Sequence, residues 1–360
     1  LRRVGEALGK LTPRLAFKKV DSCLRGNPGA ETEALLEALG APLSVVAPAF
    51  PAMGRTTRQG VHLIHGVPVS DTEMGRDSSA PVEESRLPLL MGRQCRDPVL
   101  HVGLQTIREG GTVLAREVAR LMEQGARHLT FDAEDQLDLD RIAALGLGMG
   151  ALLVGSAGLA RGVAGALGPA PVAPLAANGP NRCRPGHHLL VCGSLSSRSR
   201  AQVAALASVR GVRVIQAPAA ALADPGQTNR LGELARQLLD ALDEGDLAVT
   251  TEGEAWPGPG EAPAGTGPGD VAAGLGALVA EVATGAFLAS LFLTGGDTAR
   301  AVLHAMGSGA IRLCGEILPG MVLGTVMEGP HMGLPVVTKA GAFGGEDALV
   351  RWHDHWFGEA

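Results

Sequence analysis

The stretch R-L-A-F-K-K-V-D-S-C-L-R-G-N-P-G-A-E-T-E-A-L-L-E-A-L, residues 14–39, runs from strand to loop to helix without a break. Its opening, Arg14–Val20, reads as a strand. Its close, Pro28–Leu39, carries the signals of a helix start: Asn27 as N-cap, Pro28 in the first turn, and Glu31 and Glu33 near the positive end of the dipole. A strand feeding directly into a helix is the repeating unit of an α/β fold. Between the two, K-K-V-D-S-C-L-R-G-N at 18–27 gathers cations, a carboxylate, a hydroxyl and a glycine turn. Ligands of open α/β sheets sit at the carboxyl ends of strands, which is where this loop falls. An arginine fork and a lysine ammonium suit a carboxylate, while Asp and Ser suit sugar hydroxyls. The candidate substrate residues are therefore Lys19, Asp21, Ser22, Arg25 and Gly26. A solvated loop leading into a helix cap would have the same spacing.

Strand-length apolar runs alternate with helical periodicity through most of the chain. Further candidate strands are Leu43–Ala47, Val99–Gly103, His128–Phe131, Ala151–Val154, His188–Cys192, Val212–Ile215, Leu247–Thr250, Leu291–Thr294, Ile311–Leu313 and Pro335–Thr338; Thr112–Gln124 reads as a helix. Residues 60–69 form a small hairpin turned at His65-Gly66. This alternation predicts mainly parallel sheets covered by helices on both faces. At 360 residues the chain is long for one core, so two α/β domains are expected. The stretch Gly168–Gly186, with five prolines and no periodicity, marks the boundary. The expected division is 1–168 for one domain, 169–186 for the linker and 187–360 for the other. A second Pro/Gly-rich stretch, Glu252–Asp270, reads as a surface loop.

Composition removes several classes of function. A formal charge of −6 speaks against a general nucleic-acid binder, and zero tyrosines with 3% aromatics leave little for stacking bases. Five cysteines lie scattered with no C-x-x-C pair, which fits reduced cytoplasmic thiols better than a disulfide frame or a zinc site. The ten histidines show no metal-ligand spacing. The N-terminal residues lack a signal peptide's apolar core. Val271–Thr294 is the nearest thing to a membrane span, but Glu281 and its glycines make it read as a helix running into a strand. The expectation is a cytoplasmic protein with no nucleic-acid or membrane partner, and a homodimer is allowed for.

Other clusters stand beside plain structural readings. A-P-A-F-P-A-M-G-R-T at 47–56 fixes a loop that positions Arg55, a further substrate candidate; a rigid turn explains it as well. V-G-S-A-G-L-A at 154–160 and V-C-G-S-L-S-S at 191–197 are strand–glycine–helix transitions, suited to an anion at a helix N-terminus and equally to any tight connection. T-G-G-D-T-A at 294–299 has the same placing, with Asp297 added as a magnesium contact. K-A-G-A-F-G-G at 339–345 brings a lysine and three glycines after the last strand. No P-loop and no complete dinucleotide fingerprint is present.

In their order along the chain, these motifs, with R-D-S-S-A-P-V at 76–82 and G-E-I-L-P-G at 315–320, resemble the four-carbon acid sugar kinase family. The resemblance implies transfer of a phosphoryl group from ATP, with Mg2+, to the terminal hydroxyl of a small-molecule sugar acid: threonate, erythronate or a 3-oxo-tetronate. It implies an N-terminal domain for the acid and a C-terminal domain for ATP. Lys19, Asp21, Ser22 and Arg25 fall in the substrate motif; Ser194 or Ser196, the run Gly295, Gly296, Asp297 and Thr298, and Gly341 fall in the nucleotide motifs. Cys23 stands where the family more usually has Thr. The family pattern also has a first strand and a D-D-x-T-G loop ahead of residue 1, so the N-terminal sheet is expected to lack that unit. A non-catalytic binder of nucleotide or sugar acid is the alternative this leaves; a dehydrogenase is disfavoured.

Overall fold

The strands follow from apolar runs buried on both faces. The computed structural model describes residues 2–11, 13–76, 80–168, 184–193, 196–224, 228–251, 268–341 and 343–357. It divides into two compact units, Leu1–Val172 and Ala173–Ala360.

In the first unit the strands are β1 (Phe17–Lys19), β2 (Ser44–Ala47), β3 (Arg55–Arg58), β4 (Val61–Ile64), β5 (Val67–Pro68), β6 (Val99–Val102), β7 (His128–Phe131) and β8 (Leu152–Gly155). A parallel sheet is ordered β1-β8-β2-β7-β6. Successive side chains serve opposite faces: Val45 and Leu153 enter one apolar core, Val46 and Val154 the other. Strands β3, β4 and β5 make a separate antiparallel meander whose second turn falls at His65–Gly66, as expected. β1 stands at a sheet edge and is shorter than the expected 14–20. Its backbone pairing nonetheless continues on both sides, through Leu153 N to Ala16 O (3.2 Å) and Val20 N to Gly155 O (2.9 Å).

The helix Pro28–Leu39 has the expected bounds, but Asn27 does not cap it with its side chain. Asn27 sits at φ −118°, ψ 62°, outside the extended geometry that aims a cap oxygen at the first turn. Gln94 takes that place from far along the chain, its Oε1 accepting the Gly29 N–H at 2.8 Å.

The second unit holds β9 (His187–Cys192), β10 (Arg213–Ala217), β11 (Leu247–Thr251), β12 (Leu288–Thr294), β13 (Ile311–Leu318), β14 (Met321–Val326) and β15 (Pro335–Lys339). The sheet order is β10-β11-β9-β12-β15-β14-β13, with the first five parallel and the last two joined antiparallel. β14 was not expected, and β13 is longer than the expected Ile311–Leu313. The helix Pro268–Gly285 runs into β12, as read from the sequence, and no described helix is long and apolar enough to cross a membrane. From β9 the chain winds to one side of the sheet, and from β12 to the other. The β9/β12 boundary is therefore a topological switch point, where the carboxyl ends of strands leave a crevice. Most of the expected linker and of the Glu252–Asp270 stretch lies outside the described residues.

Candidate functional site

In the first unit the loop after β1 is built from an anchored interior and a charged exterior. Leu24 is 2% exposed, packs in the core with Val20, Val46 and Val154, and adopts φ 65°. A bulky residue held in that conformation stores strain, and its burial is what holds it there. Outside, Arg25 Nε donates to Asp21 Oδ2 at 2.6 Å, with the two side chains 46% and 29% exposed. Lys19 is exposed, its Nζ donating to Val20 O at 2.8 Å. Lys18 turns inward to Glu31 at 2.7 Å. Thus Lys19 and Arg25 are exposed and Asp21 half-buried, while Ser22 is buried. Gly26, at φ 94°, closes the loop.

Arg55 is 2% exposed, with its guanidinium donating to Met53 O. It lies beside the Cys23 thiol, whose pKa burial and Asp21 push up against the pull of Arg55. Arg55 supports the loop from below and is not on its surface.

Two supports carry no signature in the sequence. His62, fully buried, donates from Nε2 to Ser22 O at 2.7 Å and accepts from Thr57 Oγ1 at Nδ1, 2.9 Å. Burial lowers its pKa to about 4, so the ring is neutral at pH 7. It ties the loop after β1 to the meander. Asp132, at the end of β7, accepts from the N–H groups of Gln59, Gly60 and Leu104 at 2.9, 2.9 and 3.2 Å. Burial pushes its carboxyl up, but His101 and the amides of Gly60 and Gln59 bring it below the usual carboxylate range. Ser156, in the V-G-S-A-G-L-A turn, caps the following helix through Gly158 N (3.2 Å) and donates to Ala49 O (2.7 Å). Its hydroxyl is thus engaged within the fold.

In the second unit three strand ends converge at the switch point. Gly193, after β9, lies so close to the helix Gly296–Ala305 that a Cβ there would meet Thr298 Oγ1 at 2.2 Å. Gly295, at φ 101°, donates its N–H to Lys339 O at 2.9 Å. Ser199 Oγ donates to Gly341 O at 2.7 Å. Ser196 caps the helix Ser197–Arg210 by accepting the Ser199 N–H at 3.1 Å; Ser194 lies outside the described residues. Gly296 and Asp297 are exposed on the first turn of their helix and Thr298 is buried.

Lys339 is only 3% exposed, and its ammonium donates to Ala340 O, Gly341 O and Phe343 O at 3.1, 2.9 and 3.3 Å. Burial lowers its pKa to about 8. Gln202 adds bonds to Phe343 O at 2.9 Å and Gly345 O at 2.8 Å. Lysine and glutamine together hold the carbonyls of Ala340, Gly341, Phe343 and Gly345 from within.

Residues 1–163 match the family model described as a sugar-binding N-terminal domain, and residues 189–349 one described as a nucleotide-binding C-terminal domain. The chain is 36% identical over 356 residues to the D-threonate kinase of Cupriavidus necator, covering 96% of this chain and 80% of that one. The chain belongs to the four-carbon acid sugar kinase family. It is accordingly a phosphotransferase. The D-threonate kinase of Bordetella bronchiseptica is 38% identical, over 93% of this chain and 76% of its own. The D-erythronate kinase of Heliobacterium modesticaldum is 30% identical, over 98% and 83%. A solved structure from Salmonella typhimurium, described as a putative tRNA synthase, superposes with a TM-score of 0.74 at 24% identity, over 95% of this chain and 81% of that one; at that identity the likeness is one of fold.

Proposed function

We propose that the chain phosphorylates the terminal hydroxyl of a four-carbon sugar acid with ATP, and that D-threonate is its substrate. The observation that carries this reading is the set Lys19, Asp21 and Arg25 at the carboxyl end of β1. Asp21 and Arg25 engage each other, so a ligand must satisfy both when it parts them. A sugar acid does so: its carboxylate takes the guanidinium fork and the Lys19 ammonium, and its hydroxyls donate to Asp21. The D-threonate kinases among the relatives favour that tetronate.

On this reading the first unit binds the acid and the second the nucleotide. Ser196, Gly295, Gly296, Thr298 and Gly341 line the loops that take the phosphates, and the contact of Gly193 with Thr298 leaves room only for glycine there. Asp297 fits a magnesium ion: it is an exposed carboxylate beside the glycines, with no hydrogen bond or ion pair to the described residues. Magnesium, when bound, neutralises charge on the β- and γ-phosphates. The chain's own part is to bind and orient, since phosphoryl transfer asks mainly for positioning.

ADP release measured over D-threonate, L-threonate, D-erythronate and a 3-oxo-tetronate tests the proposal. The highest kcat/KM is expected for D-threonate. ADP release that never exceeds the ATP-only background with any of the four would overturn it.

A further inference from the structure

Glu33, Cys95 and His128 come from three separate segments and meet at the amino end of β7, away from the loop at the carboxyl end of β1. Glu33 lies on the helix Pro28–Leu39, Cys95 follows the helix Leu87–Gly92, and His128 opens β7. One ligand atom from each falls within 4.8 Å of the others. His128 is fully buried, and its Nε2 has no hydrogen-bond partner among the described residues. The opposite ring nitrogen, Nδ1, is held by Ser44 Oγ at 2.9 Å, and Ser44 is itself fully buried. A buried imidazole fixed at one nitrogen and open at the other has the orientation of a metal ligand with its supporting bond in place. Left without a partner, a buried polar atom is costly.

We propose that Glu33, Cys95 and His128 bind a divalent transition-metal ion, zinc by preference, with water completing a tetrahedron. The donor set decides the ion. Sulfur and imidazole favour zinc over magnesium, which takes oxygen. Around zinc, bond lengths of about 2.0–2.3 Å set the donors roughly 3.3–3.8 Å apart, within reach of three atoms that already lie inside 4.8 Å of one another. Burial, followed by Glu33 and Asp97, pushes the Cys95 thiol up to about 12, so the ion binds by displacing its proton; the two carboxylates favour the incoming cation, with Arg127 opposing at the imidazole. Arg96 also holds Glu33, through its N–H at 2.8 Å and its guanidinium at 3.2 Å. Its side chain is 71% exposed and is also paired with Glu37, so it keeps a carboxylate partner when Glu33 turns to the ion. The ion would staple a helix, a turn and a strand of the first unit, contributing stability and not chemistry. No spacing rule reveals such a site, because its three residues are far apart in sequence.

Cobalt serves as the spectroscopic probe on the full chain after treatment with a chelator. One equivalent of Co2+ is expected to produce a near-ultraviolet thiolate charge-transfer band, which Zn2+ abolishes and millimolar Mg2+ leaves intact. Cys95→Ser should lose the band. His128→Gln and Glu33→Gln should each weaken Co2+ binding by about tenfold or more. Zn2+ should raise the Tm of the parent protein and not that of Cys95→Ser, while turnover with Mg-ATP stays the same in that variant. The proposal is overturned if no thiolate band forms, if the band survives Cys95→Ser, or if affinity is unchanged in His128→Gln and Glu33→Gln. Circular dichroism identifies any variant that does not fold, and the remaining variants then decide.

Discussion

Arg25 and Asp21 form an exposed pair, and exposed pairs contribute little to folding. Arg25→Ala should therefore change stability by less than about 0.5 kcal/mol. A charge-assisted bond to a substrate carboxylate is worth roughly 1.5–3 kcal/mol, so kcat/KM for the acid should fall by about tenfold to a hundredfold, with the KM for ATP unchanged. An unaltered kcat/KM would remove Arg25 from the site. His62 makes the opposite case. Its folded-state pKa is about 4 against an ordinary 6.5, so the unfolded chain takes up the proton first. Its contribution is full above pH 6.5 and is lost as pH falls from there toward 4. Denaturant titrations across that window should show stability falling in the parent and less steeply in His62→Asn. Lys19, Asp21 and Arg25 were legible because charged residues just beyond an apolar strand stand out. The lysine at 339 stood out too, but its part in holding the loop did not, nor did that of His62, because the carbonyls of 340, 341 and 343 and of Ser22 that they hold leave no trace in a sequence.

Among the elements, the helix Pro28–Leu39 separates a local signal from a tertiary one. Gln94→Ala should destabilise by about 1 kcal/mol, as loss of a cap does, while Asn27→Ala should cost much less. Equal losses in thermal melts would restore Asn27 as the cap. The glycine loop after β15 gives a functional test. Lys339→Met removes three bonds to the carbonyls of 340, 341 and 343, so the KM for ATP should rise by about tenfold, with little change in the KM for the acid. A rise confined to the acid would contradict the assignment. Strand legibility followed burial. His128–Phe131 was read residue for residue because all four are buried. Met321–Val326 was missed because Gly324 interrupts its pattern; a Cβ there would meet Arg312 O of the paired strand at 2.7 Å.

At the largest scale, the fold class was legible because strands and helices alternate along the described residues; the antiparallel run β15-β14-β13 departs from that pattern. The three glycine-bearing strand ends of the second unit were legible as loops, but their convergence at the β9/β12 switch point depends on strand order, which sequence alone does not reveal. With a net charge of −6 the protein has no general attraction for anions, so an anionic acid and ATP must be held by local groups. A folded fragment spanning 187–360 should accordingly bind ATP by calorimetry without the first half; a folded fragment that does not would contradict the division of labour. The most direct test of the central claim is proton-coupled phosphorus NMR of the product formed from D-threonate and Mg-ATP. Transfer to the terminal hydroxyl predicts a new phosphomonoester resonance split into a triplet by two methylene protons, growing as ATP is converted to ADP. A doublet would place the phosphate on a secondary hydroxyl, and no new resonance would deny the transfer.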